Sequence, residues 1–213
     1  MADKSYLFDT TKCTACRACQ VACKQWNELA AEDPVPTNRG TYENPPDLSA
    51  TQWLLIHFKE HESDGELTWN FVRNSCRHCM DAPCGQAATN ADAITVDADT
   101  GAVLFGEATS AESYGKIRMA CPFGIPRKGA DGRLYKCTMC VDRVQDGKLP
   151  ACVQACPTGA MQFGDRADML AAADARVAAL QTDFPQARIL DRRDVRLLIL
   201  LADGASAYKL TVA

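Results

Sequence analysis

An α+β fold is predicted: two pseudo-symmetric modules with β-hairpin insertions and a C-terminal helix plus strand. Three observations carry it. Twelve cysteines fall in tight runs, and the runs repeat. Segments rich in β-branched and aromatic residues, bounded by turn residues, lie between the runs. One helical pattern and one short apolar run follow the last of them.

In chain order, residues 5–9 read as a first strand leading into Cys13-Thr14-Ala15-Cys16-Arg17-Ala18-Cys19-Gln20-Val21-Ala22-Cys23. Gln20 to Ala31 reads as a short helix carrying Trp26 and ended by Pro34 and Pro36. Residues 33–50 are loop, because Asn44-Pro45-Pro46-Asp47 cannot sit inside a helix. Thr51 to Lys59 is a strand, Glu62-Ser63-Asp64-Gly65 a turn, and Leu67 to Arg73 the return strand of a hairpin. The second run, Cys76-x2-Cys79-x4-Cys84, has Ala88 where a fourth cysteine would fall. Residues 93–105 form a hairpin turning at Asp99-Thr100-Gly101. Cys121-Pro122 ends a third region, and residues 128–135 form a Gly-rich turn. The fourth run is Cys137-x2-Cys140-x11-Cys152-x3-Cys156, followed by Pro157-Thr158-Gly159. Ala167 to Leu180 is an amphipathic helix, and Val195 to Leu201 a last strand.

The first run reads C-x2-C-x2-C-x3-C. Three thiols at steps of three wrap one iron–sulfur cube, and in two-cluster ferredoxins the fourth cysteine of such a run serves the other cube. Cys13, Cys16 and Cys19 then take Cys156 as fourth ligand, and Cys137, Cys140 and Cys152 take Cys23. Cys76, Cys79 and Cys84 take Cys121. Stepping back from Cys121 puts the ligands of a further site at Ala111, Tyr114 and Ile117, with Ala88 from the second run, so that site is lost whole. The result is two ferredoxin-like (bacterial dicluster) modules. The first, residues 1–32 and 133–165, holds two clusters. The second, residues 70–132, holds one. Residues 33–69 are a loop and hairpin insertion, and residues 166–213 a C-terminal docking segment. Three complete sets of four thiolates define three [4Fe–4S] clusters.

Twelve cysteines exhaust those sets, and no open iron position remains for a substrate. No Ser/His/Asp constellation, P-loop or G-x-G-x-x-G is present. The chain therefore has no catalytic residue and conducts electrons between a donor and an acceptor protein. Zinc is the main rival, since C-x2-C pairs are zinc signatures, but a C-x2-C-x2-C-x3-C run is awkward around one tetrahedral ion. A disulfide scaffold would scatter its cysteines. His78 is a neighbour of the cluster ligands that hydrogen-bonds to sulfur or backbone, and His57 and His61 are surface residues. Trp26, Trp53 and Trp69 are packing residues. Net charge is formally −4, which gives nucleic acid no footing. The basic residues among the cysteines (Lys12, Arg17, Lys24, Arg73, Arg77, Lys136 and Arg143) either offset cluster charge or are solvated surface charges. No signal peptide and no transmembrane anchor is visible.

The four-run pattern over residues 5–165 resembles the iron–sulfur electron-transfer subunits of molybdopterin oxidoreductases. Within them, Cys23-Lys24-Gln25-Trp26-Asn27, Glu43-Asn44-Pro45-Pro46-Asp47-Leu48, Cys76-Arg77-His78-Cys79 and Leu149-Pro150-Ala151-Cys152 look like formate dehydrogenase β subunits. The missing fourth cluster and membrane helix resemble the soluble, periplasmic, tungsten- or molybdenum-containing formate dehydrogenases of sulfate-reducing bacteria. The resemblance implies a heterodimer in which a tungsto- or molybdopterin partner oxidises formate to CO2. Electrons then pass through this chain to a soluble cytochrome c or similar carrier. It also implies export of the folded chain with its partner into the periplasm, with a cytoplasmic location the alternative. Two other readings stand beside it: a subunit of a sulfur, nitrate or sulfoxide reductase, and a free-standing polyferredoxin.

Overall fold

One sheet ties together segments from opposite parts of the sequence. The computed structural model describes residues 3–31, 42–63 and 65–210. In it β1 (Lys4–Asp9) lies between β8 (Met161–Asp165), which is antiparallel to it, and β10 (Leu197–Leu201), which is parallel. The strand β9 (Arg188–Leu190) closes the order β8-β1-β10-β9. Every residue of β10 is buried, as a strand covered on both faces requires. Side chains alternate between the faces of a strand. Leu198 and Leu200 accordingly join Leu7 in a cluster with Ala173 and Leu180 of α6 (Arg166–Leu180). Leu197, Ile199 and Leu201 join Tyr6 and Phe8 in the main core, which also takes in Cys19, Cys23 and Cys152.

The helix expected over 20–31 is α1 (Ala18–Trp26). It stops early because the Asn27 amide donates to the Cys23 carbonyl at 2.8 Å and Glu28 adopts a left-handed φ of 51°. The prolines expected to end it, 34 and 36, lie outside the described residues, as does most of the expected loop before residue 42. The expected hairpin is β2 (Leu54–Ser63) with β3 (Glu66–Ser75), paired from Leu54↔Ser75 to Ser63↔Glu66.

The second module opens with α2 (Pro83–Gln86) and the expected hairpin of β4 (Ile94–Val96) and β5 (Val103–Phe105). Next comes α3 (Tyr114–Ala120), which the sequence pattern left unassigned. The expected turn at 128–135 carries a two-residue pairing of β6 (Arg127–Lys128) with β7 (Leu134–Tyr135). Two short helices, α4 (Val141–Gln145) and α5 (Ala151–Gln154), accompany the last cysteines. Among the described residues no helix is long and apolar enough to cross a membrane.

Candidate metal centres

Three cysteine loops share one local geometry. Ala15, His78 and Met139, each just before the second cysteine of a C-x2-C pair, have φ of 52°, 48° and 64°. Non-glycine residues occupy this region at a cost. It turns the backbone N–H of His78 and Met139 back onto Cys76 Sγ and Cys137 Sγ, each at 3.4 Å. The Ala15 N–H does the same to Cys13. The third thiol of each run, Cys19, Cys84 or Cys152, sits in the first turn of α1, α2 or α5, where free N–H groups favour negative sulfur.

The twelve thiols are free of disulfides, and several of them raise one another's pKa. Burial raises the Cys13 thiol, and Cys156 and Cys16 raise it further. Cys19 is pushed up to about 12 by burial, with Cys152, Cys13 and Cys16 adding. Burial also drives Cys23 well up, beside Cys137, Cys152 and Cys140. Cys76 reaches about 12, by burial first, next to Cys137 and Cys84. Cys79 reaches about 11, by burial and by Cys121 and Cys84. The sequence expects the sets Cys13, Cys16, Cys19 and Cys156; Cys23, Cys137, Cys140 and Cys152; and Cys76, Cys79, Cys84 and Cys121, and across these sets Cys19 also feels Cys152 and Cys76 also feels Cys137. Cys19 shares one buried cluster with Cys23 and Cys152, and Cys76 shares another with Cys137.

Cys76, Cys79, Cys84 and Cys121 line one cavity together with Ala82, Val103, Phe123, Ile125, Pro126 and the cations Arg77 and Lys136. Soft thiol donors around an apolar cavity suit an iron–sulfur cube, whose chemistry is one-electron transfer. Among the described residues no three His, Cys, Asp or Glu side chains converge on a point where a single metal ion would sit.

Of the lost site's expected positions, Ala88, Tyr114 and Ile117 gather in one apolar cluster with Ile94 and Leu134. Ala111 stands apart, exposed at the end of a 3-10 turn. His78 is fully buried, and its Nδ1 accepts the Val103 N–H at 3.0 Å. His57, expected at the surface, is half-buried, with its Nε2 3.1 Å from the Asn74 amide. His61 is also half-buried. Trp26 bonds Asp142 at 2.8 Å, Trp53 stacks on Tyr135, and Trp69 packs against Tyr42, Phe58 and Phe71.

The basic residues divide sharply. Lys12 is exposed, Arg17 and Lys24 are half-buried, and Arg73, Arg77, Lys136 and Arg143 are buried. Arg77 pairs with Asp191 and lies 3.9 Å over the Phe123 ring. Arg143 bonds the Leu149 carbonyl and Gln154 and covers Trp26. The sequence places Arg73 on a strand but carries no signal that this strand brings it among the thiols.

The fold and its loops define an iron–sulfur protein of the dicluster ferredoxin class, and residues 67–166 match the family described as 4Fe-4S dicluster domain. The chain is 44% identical over 210 residues to the formate dehydrogenase subunit beta of Megalodesulfovibrio gigas, covering 96% of each. It is 43% identical to the formate dehydrogenase 2 subunit beta (cytochrome c-553) of Nitratidesulfovibrio vulgaris, again over 96% of each chain. The nitrate-inducible formate dehydrogenase iron–sulfur subunit of Escherichia coli is 44% identical over 84% of this chain and 60% of its own length. The chain belongs to the family of formate dehydrogenase β subunits, which are electron-transfer and not catalytic subunits.

Proposed function

We propose that this chain carries three [4Fe–4S] clusters and relays electrons from a formate-oxidising partner to an external acceptor. Cys13, Cys16, Cys19 and Cys156 hold the first cluster. Cys23, Cys137, Cys140 and Cys152 hold the second, and Cys76, Cys79, Cys84 and Cys121 the third. The observation that carries the reading is that the buried thiols of the expected sets share packing clusters in sequence, Cys19 with Cys23 and Cys152, and Cys137 with Cys76. It gives a linear order in which the second cluster is the middle one. Cys16 is exposed at one end, and Cys79 and Cys121 are partly exposed at the other, so both ends have a face for a protein partner.

The partner is a tungsto- or molybdopterin subunit forming a heterodimer with this chain. There formate loses two electrons and a proton to become CO2, and the electrons cross this chain singly. The protein's part is to hold the cubes by thiolate, exclude water around them and set their potentials through burial and nearby charge. The cytochrome c-553 in the name of the Nitratidesulfovibrio relative supports a soluble cytochrome c as acceptor. Export as a folded passenger places the pair in the periplasm, and it lets clusters assemble first in the reducing cytoplasm.

Elemental analysis of anaerobically purified protein, with whatever copurifies, tests this. About twelve irons per chain, no zinc, tungsten or molybdenum in a larger partner and formate-dependent reduction of a c-type cytochrome are expected. Zinc in place of iron would overturn it. Iron without either heavy metal would assign the chain to a separate carrier.

A further inference from the structure

Two buried cations stand at the two junctions between the expected thiol sets. Arg73, on β3, is 2% exposed, and Lys136, after β7, is 4% exposed. Among the described residues neither makes an ion pair, whereas buried Arg77 is matched by Asp191. A buried charge without a counter-charge costs several kcal/mol, so something anionic must stand opposite it.

The surroundings identify it. Arg73 Nη1 lies 3.8 Å from Cys152 Sγ and 3.6 Å from Met161 Sδ. Its Nε donates to Ser75 at 2.8 Å, and its guanidinium covers the Tyr6 ring at 4.5 Å. Its Nη2 is buried with no hydrogen-bond partner. The thiols that feel its charge are Cys19 of the first set and Cys23 and Cys152 of the second. Lys136 Nζ donates to the Val103 and Cys137 carbonyls, the latter at 3.1 Å, and stands 4.7 Å from the Phe105 ring centre. With Arg77, whose charge Asp191 matches, it lines the cavity ringed by Cys76, Cys79, Cys84 and Cys121, and it lies next to Cys137 of the second set.

On the three-cluster reading above, we propose that Arg73 and Lys136 are counter-charges of the clusters, one at each junction. Arg73 sets the potentials of the first and second, and Lys136 those of the second and third. An electron arriving on a cube makes the cube and its thiolates one charge more negative. A cation within the same low-dielectric interior stabilises that reduced form and raises the potential. Both residues act through the clusters and touch no substrate.

EPR-monitored redox titration of the anaerobically purified full chain with its partner tests this. The expected result for Arg73→Gln is lower midpoints for the first and second clusters and an unmoved third. The oxidised-to-reduced ratio at fixed potential should shift about tenfold, or about 59 mV for one electron. Lys136→Gln should lower the second and third and leave the first. Arg73→Lys and Lys136→Arg, which keep the charge, should restore the midpoints. Unmoved midpoints in both Gln variants at full iron content would overturn the assignment, as would a charge-keeping variant that shifts as far as its Gln counterpart. Loss of a cluster in Gln variants but not in charge-keeping ones supports it, and loss in both assigns the residues to packing and overturns it. The unmodified protein reports separately on the reading beneath: fewer than three clusters there would fail that reading, and this assignment with it.

Discussion

At the residue scale, small groups hold the modules in place. Gly101 has φ of +74°, and a Cβ there would stand 2.1 Å from Arg196 Nε. Arg196 cannot yield freely, because it bonds Asp3 at 2.6 Å and the Cys79 carbonyl at 3.1 Å. Gly101→Ala should therefore destabilise the protein by more than about 1 kcal/mol, read as a lower melting temperature. His57 gives a pH signature. Burial, then Lys59, lowers its pKa, against a smaller raising effect from Glu43 and Asp47. The folded chain refuses a proton that the unfolded chain accepts below about pH 6.5. The stability tied to neutral His57 is thus present above that pH and is lost as pH falls below it. Melting curves from pH 7.5 to 5 should fall less steeply for His57→Gln than for the unmodified chain.

At the element scale, local patterns are legible and long-range partners are not. The first strand, both hairpins and the long helix α6 appear in the sequence because alternation, turn residues and helical period are local signals. The strands β8 and β9 lack the linking turn signals that mark the hairpins and the apolar run that marks β10, and α3 hides because only Ile117 of its seven residues is buried. The end of α1 depended on an Asn27 cap that competes with any helical reading through Ala31. The cysteine runs themselves are legible by spacing alone. The burial of Arg73 among them needed β3 to face the core, which its sequence does not specify. Placing β10 between β1 and β9 makes that strand the most demanding to alter. Ile199→Ala, at a fully buried position, should cost about 2–5 kcal/mol in denaturant unfolding.

At the scale of the whole molecule, the proposed three-set partition of the cysteines makes a composition test. Cys76→Ser should remove one cluster, about four of twelve irons, and leave the other two detectable by EPR. Loss of two signals would mean that the sets are partitioned differently. The sheet imposes a further condition. Tyr6 has its parallel partner at Leu197, so β1 stays half-paired until almost two hundred residues have been made. At about 5–20 residues per second, that is a wait of roughly 10–40 s on the ribosome. During it the first cysteine run is already in the cytoplasm without its finished scaffold. On the proposed partition, iron loading of Cys13, Cys16 and Cys19 would be timed by synthesis of the far end of the chain. A nascent chain stalled before β10 should be a poor acceptor of iron, although it already contains every cysteine.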